Sequence, residues 1–465
     1  MKNFYFLLGL IIMAISCQPS KTKTDILITN ASVIDVENGT TIPDQLISIS
    51  NDTIRSVASM AELGQYDAAK TIDAQNKFVM PGLWDNHVHF RGGDRLIGEN
   101  RNLLKLFLAE GITTVRDCGG DLAPSVMAWK DSIQKGLLEG PNIFTAGPKL
   151  DGPRPAWAGS IALHNKNEVS KALDSLESIH VDFVKTYDGS LTPEVYYEII
   201  REAEKRGLKV TGHMPLSADI RKAMDLGLDG VEHMYYFLPV TSPIGDSIRN
   251  LNIGYRAIGS LVETHDPNMV KPFMDEAASK GLFVTPTVYI GKVLENLATK
   301  DHSSDSLLAI IGSGIIKTYD GRIASAKRRS PEGQTSFEDM ERMFNAMVLP
   351  AYNSGLPILA GSDCGAFNSY VYPGSSLHSE LEMLVKDGLS PAQALKTSFV
   401  NGPKFFDQEA YYGSVSSGKV ADLLILDENP LDDIRNTRNV NTVIQRSRVY
   451  DNKALHDLLE RLKTN

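Results

Sequence analysis

The chain has 465 residues, with 47 basic and 57 acidic side chains and a formal net charge of −10. Its 42% hydrophobic and 22% charged residues are those of a globular protein with ample core, which excludes a fibrous or fully disordered chain. No long basic run offers a surface to nucleic acid, and three cysteines cannot build a disulfide framework.

Residues 1–17 read MKNFYFLLGLIIMAISC. Lys2 gives a short positive start, and Phe4 to Ile15 is an apolar run. A run this short does not span a bilayer, which takes about 20 residues, but it suits the apolar stretch of an export signal. With the small residues Ala14 and Ser16 before Cys17, the segment resembles a bacterial lipoprotein signal. That resemblance implies a signal peptide over 1–16 and lipidation of Cys17. It also implies an exported chain, lipid-anchored to a bacterial membrane and facing the periplasm or the outside. More than one acyl chain on Cys17 would give stable anchoring where a single chain would not. Residues 17–24 are polar and read as a tether.

Residues 25–80 alternate apolar and polar positions and turn at Asn38-Gly39 and Asn51-Asp52, the pattern of short strands. From 81 to 407 short β-rich runs alternate with helical stretches. Eight runs can be followed: Asp85–His89, Thr113–Cys118, Asn142–Gly147, Asp182–Tyr187, Lys209–His213, Gly230–His233, Leu282–Thr287 and Pro357–Asp363. Helices are expected between them, including Pro193–Arg206. There Thr192 is a capping residue before a first-turn proline, and Gly207 follows a basic last turn. Eight such alternations predict an α/β fold, a (β/α)8 barrel. Residues 301–334 read as an inserted loop or helix. Residues 408–453 return to strands and complete, with 25–80, a split β-sandwich domain; 454–465 form a terminal helix.

His87 and His89 are two apart on a strand, so both imidazoles lie on one side and can share a metal. They sit at the C-terminal end of the first barrel strand, where barrel enzymes keep their reactive groups. The fifth strand ends in His213, the sixth in His233 and the eighth in Asp363, while Lys185 lies within the fourth. Five strand ends furnished in this way point to a metal site. Arg116 ends the second strand and could pair with a substrate carboxylate or a neighbouring acid. Tyr235 and Tyr236 follow the sixth-strand histidine and could reach a substrate, or simply wall the pocket. Arg154, Trp157 and His164 lie in a long loop after the third strand. His378 is expected to pack near the barrel mouth, and His265, His302 and His456 to lie on the surface. Cys118 and Cys364 read as buried thiols.

The motifs VMPGLWDNHVHF, GITTVRDCGG, DFVKTYDG, VTGHM, VEHMYY, ILAGSDCG and GKVADLLILDENP together resemble the amidohydrolase superfamily. The chain is most similar to its imidazolonepropionase-like and Xaa-Pro dipeptidase-like branch. The resemblance implies a binuclear metal-dependent hydrolase in which a metal-bridging hydroxide attacks a C–N amide bond of a small substrate, a dipeptide or N-acyl amino acid. It implies that His87, His89 and Asp363 hold one divalent ion and His213 and His233 a second, zinc suiting both. Lys185, carboxylated by CO2, would serve each, and Asp363 would take the proton. A cyclic amide, a lactone or an ester would need the same site, and a catalytically silent binding lipoprotein is the reading of another class. Nucleic acid is not an expected partner; a homo-oligomer is left open.

Overall fold

In the computed structural model residues 20–463 are described; the signal segment and Cys17 lie outside them. The first described strand, Thr22–Asp35, is long because its alternating residues have partners on both sides. Thr40–Ser50 runs antiparallel along one side, and Tyr66–Asp73 and then Phe78–Pro81 run parallel along the other. The strand begins inside the expected tether, since Thr22 to Thr24 pair with Tyr66 to Ala68.

C-terminal strands extend the same sheet: Leu423–Leu426 pairs with Phe78–Pro81, then Val440–Gln445 and Arg448–Tyr450 follow. The two ends of the chain therefore share one eight-stranded sheet. Ile28, Ile47, Val79, Leu423 and Ile444 on its inner side form a core of their own. Alternation along a strand places these residues on one face.

Between the two segments the chain closes a barrel of eight parallel strands. Seven are Leu83–Val88, Ile112–Asp117, Asn142–Thr145, Val184–Thr186, Val210–Gly212, Gly230–Glu232 and Phe283–Thr285. The eighth is irregular and is carried by a bridge from Ile358 to Val284 and another from Cys364 to Val88. Backbone bonds from Asn86 to Ala360, Asp363 to His87 and His89 to Cys364 seal the ring between eighth and first strands. The strands are short, but each expected run overlaps one or, for the eighth, these bridges.

Helices cover the barrel. Pro193–Arg206 has the predicted limits: the Thr192 hydroxyl accepts from Val195 N–H at 3.4 Å, and Gly207 ends it at φ 68°. The inserted region is helical, with Leu308–Ile311, Ser313–Lys317 and Asp320–Lys327 leading into Pro331–Asn353. That last helix begins inside the segment read as an insertion. Ser330 caps it, accepting from Gly333 N–H at 3.1 Å, and Pro331 fills its first turn. Carboxylates dock two helices near the barrel mouth, the second of them in the inserted region. Glu380 accepts from Val288 and Tyr289 N–H at 3.1 and 2.7 Å, at the start of helix Val288–Asn296. Glu99 accepts from Gly314 and Ile315 N–H at 3.0 and 2.7 Å. Both place negative charge at a helix N-terminus, where free N–H groups favour it.

Candidate metal centre and its cavity

At the C-terminal mouth of the barrel four histidines are held in the same way. His87 Nδ1 meets Glu232 at 2.7 Å, and His89 Nδ1 donates to the Gly119 carbonyl at 3.0 Å. His213 Nδ1 meets Asp188 at 3.1 Å and His233 Nδ1 meets Thr287 Oγ1 at 2.6 Å. Partners on Nδ1 fix each ring and leave Nε2 for another role, the arrangement in which imidazole serves as a metal ligand.

The free nitrogens converge. His87 Nε2 and His89 Nε2 are 3.2 Å apart, and Asp363 Oδ1 lies 3.6 and 3.3 Å from them. His233 Nε2 is 3.9 Å from Asp363 Oδ2, and the His213 and His233 rings have centroids 5.0 Å apart. His87, His89 and Asp363 are close enough to hold one ion among them. Burial, reinforced by the Lys185 charge, pushes His87 down to about 4, and burial also holds His89 and His233 well below the ordinary histidine range. These rings are therefore neutral, with lone pairs to give.

Lys185 is fully buried beneath them. Its Nζ has no hydrogen-bond partner, and Glu232 Oε1 is 3.7 Å away. A buried ammonium without hydrogen bonds is costly, even with an acid at this distance. The donor set therefore fits divalent metals, with Lys185 the one member whose buried polar atom makes no hydrogen bond.

Two further features set the geometry. His233, Thr287 and Asp363 have φ of 68°, 50° and 56°, the left-handed region that β-branched threonine in particular avoids. Such conformations persist where surroundings impose them, often at functional sites. Here Asn368 Nδ2 donates to Asp363 Oδ1 at 2.8 Å, and Asp363 N–H donates to the His87 carbonyl at 2.7 Å. Asp85 ties the first and eighth strands, accepting from Ser362 N–H at 2.9 Å and from its hydroxyl at 2.6 Å.

A cavity of about 220 Å³ opens over the histidines and is lined by His89, His213, His233 and Asp363. Tyr235 reaches it, as do Trp157 and Tyr187. Three other sequence candidates lie elsewhere. Arg116 is buried inside the barrel, where it donates to Glu232 at 3.0 Å and to Thr285 Oγ1 at 2.8 Å. Of the two readings open for Arg116, it is pairing with an acid that the structure shows. Tyr236 points away, its hydroxyl 3.3 Å from Asp188 and 3.1 Å from Tyr255. Arg154 is exposed on its loop, held through backbone bonds with Ser190. Nor is His378 near the mouth: its Nε2 donates to the Glu110 carbonyl, at the opposite end of the barrel. His302 is buried rather than exposed, meeting Asp305 at 2.8 Å and stacking on Tyr370. Cys118 and Cys364 are buried free thiols.

The cavity also exposes residues that the sequence reading passed over: Arg91, Arg322 and Glu341. Arg91 was within reach of the alternation argument, because in HVHFR it follows His87 and His89 at the same spacing of two. Arg322 and Glu341 come from the inserted helices and carry no local signal.

The sequence pattern of the amidohydrolase family matches residues 78–242 and 256–449 of this chain. The chain belongs to the amidohydrolase family. Among amidohydrolase relatives, the ochratoxinase of Aspergillus niger is 23% identical over 469 residues, covering 90% of this chain and 84% of its own. The imidazolonepropionase of Geobacillus kaustophilus is 24% identical over 426 residues, covering 86% and 84%. A solved Xaa-Pro dipeptidase with methionine bound in its active site superposes with a TM-score of 0.67 at 19% identity, over 92% of this chain and 99% of that one. That likeness places the barrel and its β-rich companion in one architecture.

Proposed function

We propose that this amidohydrolase is a binuclear metal enzyme that cleaves a C–N amide bond in a small substrate bearing a carboxylate, a dipeptide or an N-acyl amino acid. One observation carries the reading: with their rings fixed through Nδ1, His87, His89 and His233 bring Nε2 within 3.9 Å of Asp363, His213 stands beside His233, and the Nζ of the buried Lys185 makes no hydrogen bond. His87, His89 and Asp363 would hold one ion, and His213 and His233 the other. Lys185 as a carbamate would offer an oxygen to each and lose the cost of a bare buried ammonium. Imidazole beside carboxylate oxygens suits zinc. When bound, the ions lower the pKa of water towards neutrality and polarise the scissile carbonyl.

The chain's own groups do the rest. Asn368 occupies Oδ1 of Asp363, which leaves Oδ2 to take a proton and return it to the departing nitrogen. Arg91 donates through Nε to the Ala366 carbonyl and lies 4.0 Å above the Trp157 ring. Arg322 has neither hydrogen bond nor ion pair among the described residues. Two guanidiniums on one cavity wall, neither paired with an acid, suit the carboxylate of a substrate. Tyr187, Trp157 and Tyr235 give the apolar body of the substrate a surface and displace water.

The test is a library of dipeptides, N-acyl amino acids and their C-terminal amides on the metal-loaded enzyme. Turnover of acids with amidated forms at least 10-fold poorer is the expected outcome. Turnover confined to lactones or esters, with every linear amide refused, would overturn the reading.

A further inference from the structure

Glu341 stands on the wall of the same cavity, on the long helix Pro331–Asn353. Only 6% of its surface is exposed. Its carboxyl accepts no hydrogen bond and forms no ion pair among the described residues. A carboxyl buried this far normally has a cation or several donors around it. The space it occupies is made for it, because a Cβ at Gly291 would fall 1.6 Å from Glu341 Oε2. The glycine of helix Val288–Asn296 thus leaves a recess that the carboxyl fills, at the edge of the cavity. Glu295 adds like charge nearby, and the attraction of Arg329 is the weaker influence. Arg329 is itself engaged, bonding Gln334 and stacking on Phe337. Among the described residues nothing pairs with this acid, and it lines the cavity.

We infer that Glu341 is a binding residue for a cationic group of the substrate, so that the enzyme takes dipeptides with a free α-ammonium in preference to N-acyl amino acids. The inference rests on the hydrolase reading above and sharpens its substrate class. The cavity lining then offers the Glu341 carboxyl together with the Arg91 and Arg322 guanidiniums, the two charges a zwitterion needs. Burial pushes the Glu341 carboxyl up to about 8 in the free protein, as expected of an acid whose counter-cation arrives with the ligand.

The experiment is calorimetric binding of two probes to the metal-loaded full chain: a phosphinic isostere of alanyl-alanine with a free amine, and its N-acetyl derivative. The free-amine probe is expected to bind at least 10-fold tighter. Glu341→Gln, close in shape to the protonated acid, should weaken that probe at least 10-fold and leave the acetylated one within about 2-fold. Gly291→Ala keeps the charge but displaces the carboxyl, and should weaken the same probe selectively. A thermal melt of each variant confirms its fold. Equal affinity for the two probes, or equal losses in Glu341→Gln, overturns the assignment and leaves the hydrolase reading standing. Failure of the wild type to bind either probe overturns both.

Discussion

The buried ionisable groups at the mouth of the barrel divide by what answers them. Glu232 is answered by Arg116, His87 and Thr211, and despite burial it is held well below the usual carboxylate range. Glu341 is unanswered, and burial raises it to about 8. The difference has a consequence for stability against pH. In the unfolded chain this carboxyl ionises near 4.5, whereas in the folded chain it holds its proton to about 8. Its contribution is therefore fully present below pH 4.5 and is lost as pH rises to 8, at ~1.4 kcal/mol per pH unit. Glu341→Gln lacks that dependence. The melting temperature of the variant relative to wild type should climb between pH 5 and pH 8 and then level off, while a difference constant across that range would refute it. The residue was invisible in the sequence because a lone glutamate on an amphipathic helix reads as a solvated charge. Only the packing of that helix against Gly291 places it beside His233, over a hundred residues away in the chain. His87, His89, Lys185, His213, His233 and Asp363, by contrast, were legible because each marks the end or middle of a strand with its own alternation.

The barrel strands are short, and much of what binds them together is side-chain chemistry under the metal centre. Arg116 of the second strand donates to Glu232 of the sixth, to Thr285 of the seventh and through Nε to the Asn86 carbonyl of the first. Glu232 in turn accepts from Thr211 of the fifth and lies 3.7 Å from Lys185 of the fourth. One ion pair thus joins six strands and sets the His87 ring. Removing one partner of a buried pair leaves an unanswered charge, typically a loss of ~3–5 kcal/mol. Arg116→Ala should show a loss of this order in urea unfolding; a change under about 1 kcal/mol would show that the node is dispensable. Strand order in sequence put Arg116 at the mouth, but whether a cation meets ligand or protein depends on the acid across the barrel. VEHMYY offered Glu232 as well as His233, and the alternation of the sixth strand turns the two to different tasks. Caps were the more transferable signal: Thr192-Pro193 marked one helix, and Ser330-Pro331 would have marked the start of another by the same rule.

At the scale of the whole molecule, chain ends that are far apart in sequence share one sheet, and the barrel between them faces its cavity outward with an inserted helical region over it. The alternation of strands and helices was enough to place this architecture, because each barrel unit carries its own period. It could not place the inserted helices, which supply Arg322 and Glu341, since their docking depends on contacts such as Glu99 reaching across from another element. The site draws its candidate ligands from five strands and its candidate selectivity from the insertion, which allows the first to stay fixed while the second sets the substrate. The proposed chemistry depends on two ions sharing Lys185. Metal content per chain, by elemental analysis of the protein purified without chelator and loaded in the presence of bicarbonate, tests this most directly. The account predicts about two divalent ions per wild-type chain and a clear loss in Lys185→Ala, partly restored by a short carboxylic acid. A wild-type ratio near one that Lys185→Ala leaves unchanged would contradict it.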